Sequence, residues 1–387
     1  MEIFDVAIVG GGPAGSSCAA FCARASLRTL VLEREKFPRE KVCGDCLNPS
    51  CWPVLNRLDL AARVRDLPHA KLDFVEFITI AGRKVVVDLP SSDEGELAVK
   101  RSFFDDLLLK RAGELGAQIH EETTVTALTC SHGPMAGPGL APPPASGTLR
   151  PGKQRRGNNS GWRIETAGGE NFGAQMLVGA DGRNSTVARL SNLLPRPERE
   201  RIALQSHLPL PDNLRNRVVL QLLPHGYVGL SPVNDEELNV CLVAKPRNIG
   251  AVKTWAIERF NVCPDHTWRT ITPLTRAAIP PTHENLFLIG DTARVVEPFT
   301  GEGIYYAMRS GELAAAAIAK IIRGENRESA IGEFGAEYAQ MYCGRLWINR
   351  IARAAVLSPR LASFVIHAAR AQPILRSLTA KIVNLRV

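Results

Sequence analysis

A chain of 387 residues, 45% hydrophobic and 22% charged, has room for about two joined domains around a sizeable core. No run approaches about 18 uninterrupted apolar residues and the N-terminus enters a strand at once, so neither a membrane span nor a signal peptide is expected, and the inferred location is cytoplasmic. The net charge of +8 sits wholly in the tail: Cys343 to Val387 holds eight Lys or Arg and no acid, while the rest carries 39 charges of each sign.

Phe4 to Val9 is a nearly all-apolar run with strand character. Gly10, Gly12 and Gly15 follow in G-x-G-x-x-G spacing, and a small-residue helix begins at Ala14. Such a turn suits a pyrophosphate: Gly10 permits the tight bend, Gly12 lets backbone approach phosphate oxygens, and Gly15 lets the helix lie close on the strand with its positive end toward the anion. Thr29 to Leu32 reads as the next strand and ends at Glu33, where a carboxylate can accept from a ribose 2′-OH. That disfavours resident NADP and leaves FAD or NAD.

Residues 34 to 51 form a basic loop broken by Pro and Gly, in which Arg34, Arg39 and Lys41 are expected at the adenine and phosphate end of the cofactor. The Cys43-Gly44-Asp45 turn is expected to bring backbone against a ring. Nine cysteines are scattered along the chain. Cys43 and Cys46 make one C-x-x-C without a second pair to complete a zinc site, so reduced thiols are expected.

Trp52 to Leu60 reads as a short helix. Phe74 to Ile80 and Lys84 to Leu89 flank Ala81-Gly82-Arg83 as a hairpin. Arg101 opens a helix over Ser102 to Leu115, with Phe103, Leu107, Leu108 and Ala112 expected on one face. An Arg at a helix start needs a phosphate or carboxylate nearby to offset the dipole. Gln118 to Glu121 and Val125 to Thr129 add strands. Residues 131 to 160 are dominated by Pro, Gly and small polar residues and read as a disordered insertion. Its basic run lacks aromatic interleaving, so no nucleic-acid partner is expected.

Trp162 to Thr166 resumes a strand, and the apolar run Met176 to Val178 then delivers Gly179-Ala180-Asp181-Gly182, with Ser185 entering a helix. Four alternating segments, Ile202 to Leu208, Val218 to Leu223, Tyr227 to Val233 and Leu238 to Ala244, predict one antiparallel sheet able to wall a substrate site. Leu286 to Ile289 ends in Gly290-Asp291, placing a carboxylate where open α/β sheets bind ligands and where it can accept from a polyol. Gly301 and Gly303 open a helix over Ile304 to Ile322, whose N-terminal amides would stabilise negative charge on a reduced flavin ring.

Gly10 to Gly15 with Glu33, Arg101, Gly179 to Gly182, Gly290-Asp291 and Pro298 to Gly303 resemble the FAD-binding signature of the p-hydroxybenzoate hydroxylase-like superfamily. Within it, PFTGEGIYYAMRSGELAA and CGDCLNP most resemble the geranylgeranyl reductase branch, to which flavin halogenases are related. The resemblance covers nearly the whole chain except 131 to 160. It implies an α/β fold: a Rossmann-like FAD-binding domain over 1 to 199 and 286 to 330, an antiparallel-sheet substrate domain over 200 to 285 with strands contributed near 70 to 100, and a helical C-terminus over 331 to 387. It further implies FAD contacts at Gly10, Gly12, Pro13, Ala14, Gly15, Glu33, Arg34, Gly44, Arg101, Val125, Asp181, Gly290, Asp291, Gly301, Gly303 and Ile304, and a substrate cavity near Cys46, Tyr227 and Pro298. No second G-x-G-x-x-G is evident, so NAD(P)H or another reductant is expected as a transient donor.

Two departures narrow the chemistry. The five Trp residues are widely separated, unlike the W-x-W-x-I-P motif of flavin halogenases, so halogenation is not expected. The Y-x-W-x-F-P pattern of isoprenoid reductases survives here only as Tyr227 and Pro232. Reduction of C=C bonds in a hydrophobic isoprenoid, lipid-like or polyketide-like substrate is favoured over hydroxylation of an aromatic or polyketide substrate. A non-catalytic flavin carrier ranks last. The basic, apolar tail from Arg345 to Val387 is expected to form short helices broken near Pro359 and Pro373, and to make peripheral contact with anionic membrane.

Overall fold

The computed structural model describes residues 1–89, 92–130, 161–196, 201–296 and 301–347, together with 350, 354, 358, 360 and 363. The insertion expected at 131–160, Pro298 and nearly all of the basic tail lie outside the described residues.

The chain opens with β1 (Glu2–Val9), α1 (Pro13–Arg24) and β2 (Thr29–Leu32), then β3 (Cys46–Leu47), α2 (Trp52–Arg57), α3 (Ala61–Arg65) and β4 (His69–Lys71). The hairpin β5 (Phe74–Ile78) and β6 (Lys84–Asp88) precedes β7 (Leu97–Val99), α4 (Arg101–Glu114), β8 (Gln118–His120) and β9 (Val125–Cys130). After residue 160 come β10 (Trp162–Thr166), β11 (Asn171–Gly179), α5 (Thr186–Leu190), β12 (Ile202–Pro209), β13 (Arg217–Leu223), β14 (Gly226–Pro232) and β15 (Glu237–Ala244). The chain continues through α6 (Ile249–Phe260), β16 (Arg269–Ile271), β17 (Thr282–His283), β18 (Leu286–Leu288), α7 (Gly303–Ile322) and α8 (Arg327–Tyr342).

In the first sheet β1 lies parallel between β11 and β2, with β18 beyond β11 and β8 beyond β2. A parallel strand covered on both faces can carry an unbroken apolar run, and Val6, Ala7 and Ile8 are fully buried. Helix α1 packs between α4 and α7. Its contact with α7 depends on Gly311: a Cβ there would lie 2.4 Å from the Ala14 carbonyl oxygen and 3.0 Å from the Cys18 nitrogen.

The second sheet runs β16-β12-β15-β14-β13-β5-β6. The pattern of residues 202 to 244 predicts its antiparallel strands. The sheet as a whole is mixed, because β5 joins β13 in parallel, Phe74 against Arg217. Period-two alternation divides its side chains. Val219, Val228, Val240 and Leu242 face α6, whose Val252 and Ala256 are buried against them, and Val218, Leu220, Tyr227 and Val243 face the other way, into a cavity.

Helix α4 corrects one expected face. Phe103 points outward at 39% exposure, while Phe104, Leu108 and Ala112 are buried, because Arg101 and Asp105 take the adjoining inward positions. Among the described residues no helix is long and apolar enough to cross a membrane.

Replacing Gly311 with Val should push α7 off α1 and cost about 1–3 kcal/mol, typical of overpacking in a tight interface. Urea unfolding should show a lower midpoint with an unchanged slope. An unchanged midpoint would show that the two helices can separate freely.

Candidate functional site

A cavity of about 550 Å³ lies between the two sheets. Its walls gather most of the residues singled out in the sequence: Gly10, Gly12, Pro13 and Ala14 from the first turn, Glu33 and Arg34 after β2, Gly44 and Cys46, then Arg101 and Val125. Asp181, Tyr227, Asp291, Gly301, Gly303 and Ile304 complete the set. Gly15 and Gly290 stand behind the wall. A Cβ on Gly15 would fall 1.8 Å from the Gly10 carbonyl oxygen, and one on Gly290, at φ +56°, would fall 3.0 Å from the Ala14 Cβ. These two glycines seat α1 rather than face the cavity.

The first turn is shaped for an anion. Gly10 takes φ +104° and its N–H donates to the Leu32 carbonyl at 2.9 Å, which closes the bend. Gly12 caps α1 without any side-chain bond, and the first turn of α1 holds no acid, so its amides are left for a ligand. Glu33 is buried at 5% exposure; Gly11 N–H donates to Oε2 at 2.6 Å and Glu35 N–H to Oε1 at 2.9 Å. Each oxygen keeps acceptor capacity for a diol. Arg34 lies at the exposed rim beside Glu35.

Arg101 has the carboxylate partner its position requires, and it is Asp105, one turn along the same helix. Nε and Nη2 bind Oδ1 and Oδ2 at 2.6 and 2.7 Å, and Asp105 is fully buried. Burial is the largest single influence and opposes the charge of Arg101, but Asp105 and Cys43 together outweigh it, so the net shift is upward. Arg39 approaches the same carboxylate at 3.3 Å and stacks over Phe37.

Asp181 does not offer its carboxylate to the cavity. Thr186 and Val187 N–H donate to Oδ2 at 2.6 and 3.1 Å and the Ser185 hydroxyl donates to Oδ1, so the side chain holds the start of α5. Burial pushes its pKa up against the pull of those donors. Asp291 accepts from Arg183 Nη2 at 2.9 Å. Arg276, which nothing in the sequence pattern marks, donates to the carbonyls of Asp291 and Thr292 and fixes the turn after β18. Gly301 takes φ +69° and leads into α7, whose amino end carries no side-chain cap.

The Cys43-Gly44-Asp45-Cys46 turn is tied down by a buried network that only the fold reveals. Asp45, at φ +60° and 1% exposure, accepts from His207 Nε2 at 2.8 Å and Asn239 Nδ2 at 2.7 Å, both from the second sheet. Asn239 also donates to the Cys43 carbonyl at 2.7 Å, and the Asp45 carbonyl accepts from Val99 N–H at 2.8 Å. Burial raises the Asp45 pKa while His207 counteracts it. Gly44 is thereby exposed at the cavity, and the Cys46 thiol sits 3.5 Å from the Ser231 hydroxyl. Burial pushes the Cys46 thiol well up, so it is a neutral lining group. All nine cysteines are free.

Two uncapped helix amino ends, a buried acceptor one strand away and glycines where a Cβ would intrude together fit a dinucleotide with a second polar group, and define a flavin-type nucleotide-binding oxidoreductase fold. A family model for an FAD binding domain matches residues 4–134. A menaquinone reductase of Mycobacterium tuberculosis is 30% identical over 339 residues, covering 80% of this chain and 75% of the relative. A digeranylgeranylglycerophospholipid reductase of Thermoplasma acidophilum is 24% identical, covering 81% and 78%. Among solved structures, a variant of the flavin-dependent brominase Bmp2 superposes with a TM-score of 0.74 at 18% identity, covering 99% of this chain and 95% of that one. PqsL of Pseudomonas aeruginosa gives 0.74 at 16%, covering 95% and 100%. The likeness to these two structures is one of fold. The chain belongs to the FAD-dependent oxidoreductase superfamily, and FAD is its cofactor.

Lys41 also faces this cavity. Burial, then the neighbouring Arg183, Arg39 and Arg101, lower its pKa from 10.5 to about 8, so between those values the unfolded chain holds a proton that the fold releases. The stability contributed by Lys41 therefore rises with pH over that window and is lost as pH falls through 8. Denaturant unfolding of the protein freed of FAD should show wild type gaining on a Lys41→Met variant from pH 8 to 10.5. A difference that stays constant would contradict the burial.

Proposed function

We propose that this chain is an FAD-dependent reductase that saturates C=C bonds of a hydrophobic, isoprenoid or lipid-like substrate. The observation that carries the reading is the wall opposite the two helix ends: Val75, Phe77, Val218, Leu220 and Val243 present an apolar surface of the second sheet to the same cavity. Relatives named as reductases of menaquinone and of digeranylgeranylglycerophospholipid support the same choice.

In this reading the pyrophosphate rests on the α1 amides beyond Gly10, Gly12, Pro13 and Ala14, where a Cβ at Gly12 would meet Arg39 Nη2 at 3.4 Å. Glu33 accepts from the ribose, Arg34 and Val125 flank the adenine end, and Asp291 accepts from the ribityl hydroxyls. Gly44 borders the ring, and Gly301, Gly303 and Ile304 place the α7 amides at its electron-rich edge. When bound, FAD supplies two-electron hydride chemistry. The chain's own part is to hold the turns at Asp45 and Arg276, keep water from the apolar wall, and orient substrate past Cys46 and Tyr227. NAD(P)H or another reductant delivers electrons from outside.

Gly12→Val should purify without yellow flavin absorbance while the wild type retains FAD. A variant with normal flavin content would remove the pyrophosphate from this turn.

Anaerobic reduction of the holoenzyme followed by mixing with an isoprenoid quinone, and product analysis with and without oxygen, tests the reaction. Saturated product formed without oxygen is expected. Hydroxylated product that requires oxygen would replace the reductase with a monooxygenase.

A further inference from the structure

Most carboxylates lining the cavity already have a partner. Glu33 is held by two amides, Asp181 by α5, Asp291 by Arg183 and Glu35 by Arg34. Glu40 and Glu96 line the cavity with no hydrogen bond or ion pair among the described residues. Glu40 belongs to the basic loop, between Arg39 and Lys41, whereas Glu96 stands between Gly95 and Leu97 with no charged neighbour in sequence.

Its backbone, in contrast, is fixed. The Glu96 carbonyl accepts from Leu72 N–H at 3.1 Å, and the preceding Gly95 carbonyl accepts from the Trp52 indole N–H at 2.9 Å. The strand that follows pairs with β3, Ala98 against Cys46, which carries Glu96 to the end of the cavity where the apolar sheet meets α7. There Oε1 lies 4.0 Å from the point a Cβ on Gly301 would occupy, at the uncapped start of that helix. A free side chain on an anchored backbone, between the apolar wall and the helix end assigned to the flavin ring, has the placement of a proton-transfer group.

The electrostatics agree. Burial pushes Glu96 up to about 7, and no cation among the described residues acts on it. The titratable groups that feel its charge are the thiols of Cys46, on β3, and Cys51, in the turn before α2; burial pushes both upward, so they remain neutral at physiological pH and do not compete for the proton. Among the described residues, the other charge facing it is the partial positive end of α7.

We propose that Glu96 is the proton donor of this site. The assignment rests on the reductase reading. Reduced FAD, when bound, would supply a hydride to one carbon of the substrate C=C, and the Glu96 carboxyl would give its proton to the other. The flavin N–H bond would break with its electron pair to form the first C–H bond, and the π pair would take the proton from the broken O–H bond to form the second. FAD would be left oxidised, and the carboxylate would regain its proton from water. NAD(P)H or another two-electron donor returns the cofactor to its reduced state.

The test has two readouts on FAD-loaded protein. Difference infrared spectroscopy from pH 5 to 9 should show a carboxyl band titrating near 7 that is missing in Glu96→Gln. Pre-reduced wild type, mixed anaerobically with menaquinone or with a digeranylgeranyl glycerophospholipid, should reoxidise its flavin as a C=C is saturated. Glu96→Gln, with full FAD content, should slow that step about 100-fold, and Glu96→Asp should recover part of the rate. Wild type and Glu96→Gln that act equally fast, or a titrating band that survives in Glu96→Gln, would overturn the Glu96 assignment alone. A wild type inert toward both probes overturns the reductase reading and the donor role with it.

Discussion

The close packing of α1 against α7 is the constraint on which the site depends. Each helix presents an amino end with no side-chain cap, and the two ends must converge on one cavity to act on one ligand. Convergence requires backbone to approach backbone: at Gly15 against the Gly10 carbonyl, and at Gly311 against the Ala14 carbonyl, a methyl group would overlap an oxygen. The small side chains of α1 serve the same purpose, since Ala14, Ser17 and Cys18 are buried without needing room. Two orphaned sets of amides and a macrodipole at each end then favour negative charge at both places.

Charge around the cavity is arranged in two zones. Near the first turn Arg39, Lys41, Arg101 and Arg183 gather, and Asp105 and Asp291 answer part of that charge. Lys41 is left in a setting that disfavours its ammonium, because burial and the neighbouring Arg183, Arg39 and Arg101 all oppose its charge. Toward the second sheet the lining becomes apolar, broken by Cys46, Ser231 and Glu96. A polar cofactor and an apolar substrate can therefore share one continuous space without either crossing the other's surroundings.

The two zones are joined by the Asp45 network. A fully buried carboxylate accepting from His207 and Asn239 binds the loop after β2 to the second sheet, so the position of Gly44 and Cys46 is set by residues more than 150 positions away. Removing the acceptor would leave His207 Nε2 without its partner and take one of the two hydrogen bonds of Asn239 Nδ2, at about 1–3 kcal/mol for each buried group left unsatisfied. Asp45 thus couples the geometry of the nucleotide domain to that of the apolar wall.

Local pattern carried much of the fold. The strand before Gly10, the helix after it, Glu33 at the end of β2, the hairpin at 74 to 88 and the alternation from 202 to 244 all report interactions between residues near in sequence, or periodicities that a single strand or helix imposes on its own side chains. The parallel pairing of β5 with β13 has no local signature, since it joins segments some 140 positions apart whose directions depend on the path between them. The same reason hid Arg276, Asp105 and the His207–Asn239 clamp. Each is an ordinary residue type in an ordinary segment, given its role by what the fold places opposite it. Asp181 shows the converse: its motif marked it for the ligand, but three donors at the start of α5 claim its carboxylate. Sequence by itself determined that this chain builds a nucleotide turn and a flavin-type second strand end, because those depend on backbone freedom at a few glycines. Which carboxylates remain free in the cavity was decided by tertiary structure alone, because a hydrogen bond to a distant amide or guanidinium exists only once the sheets have closed.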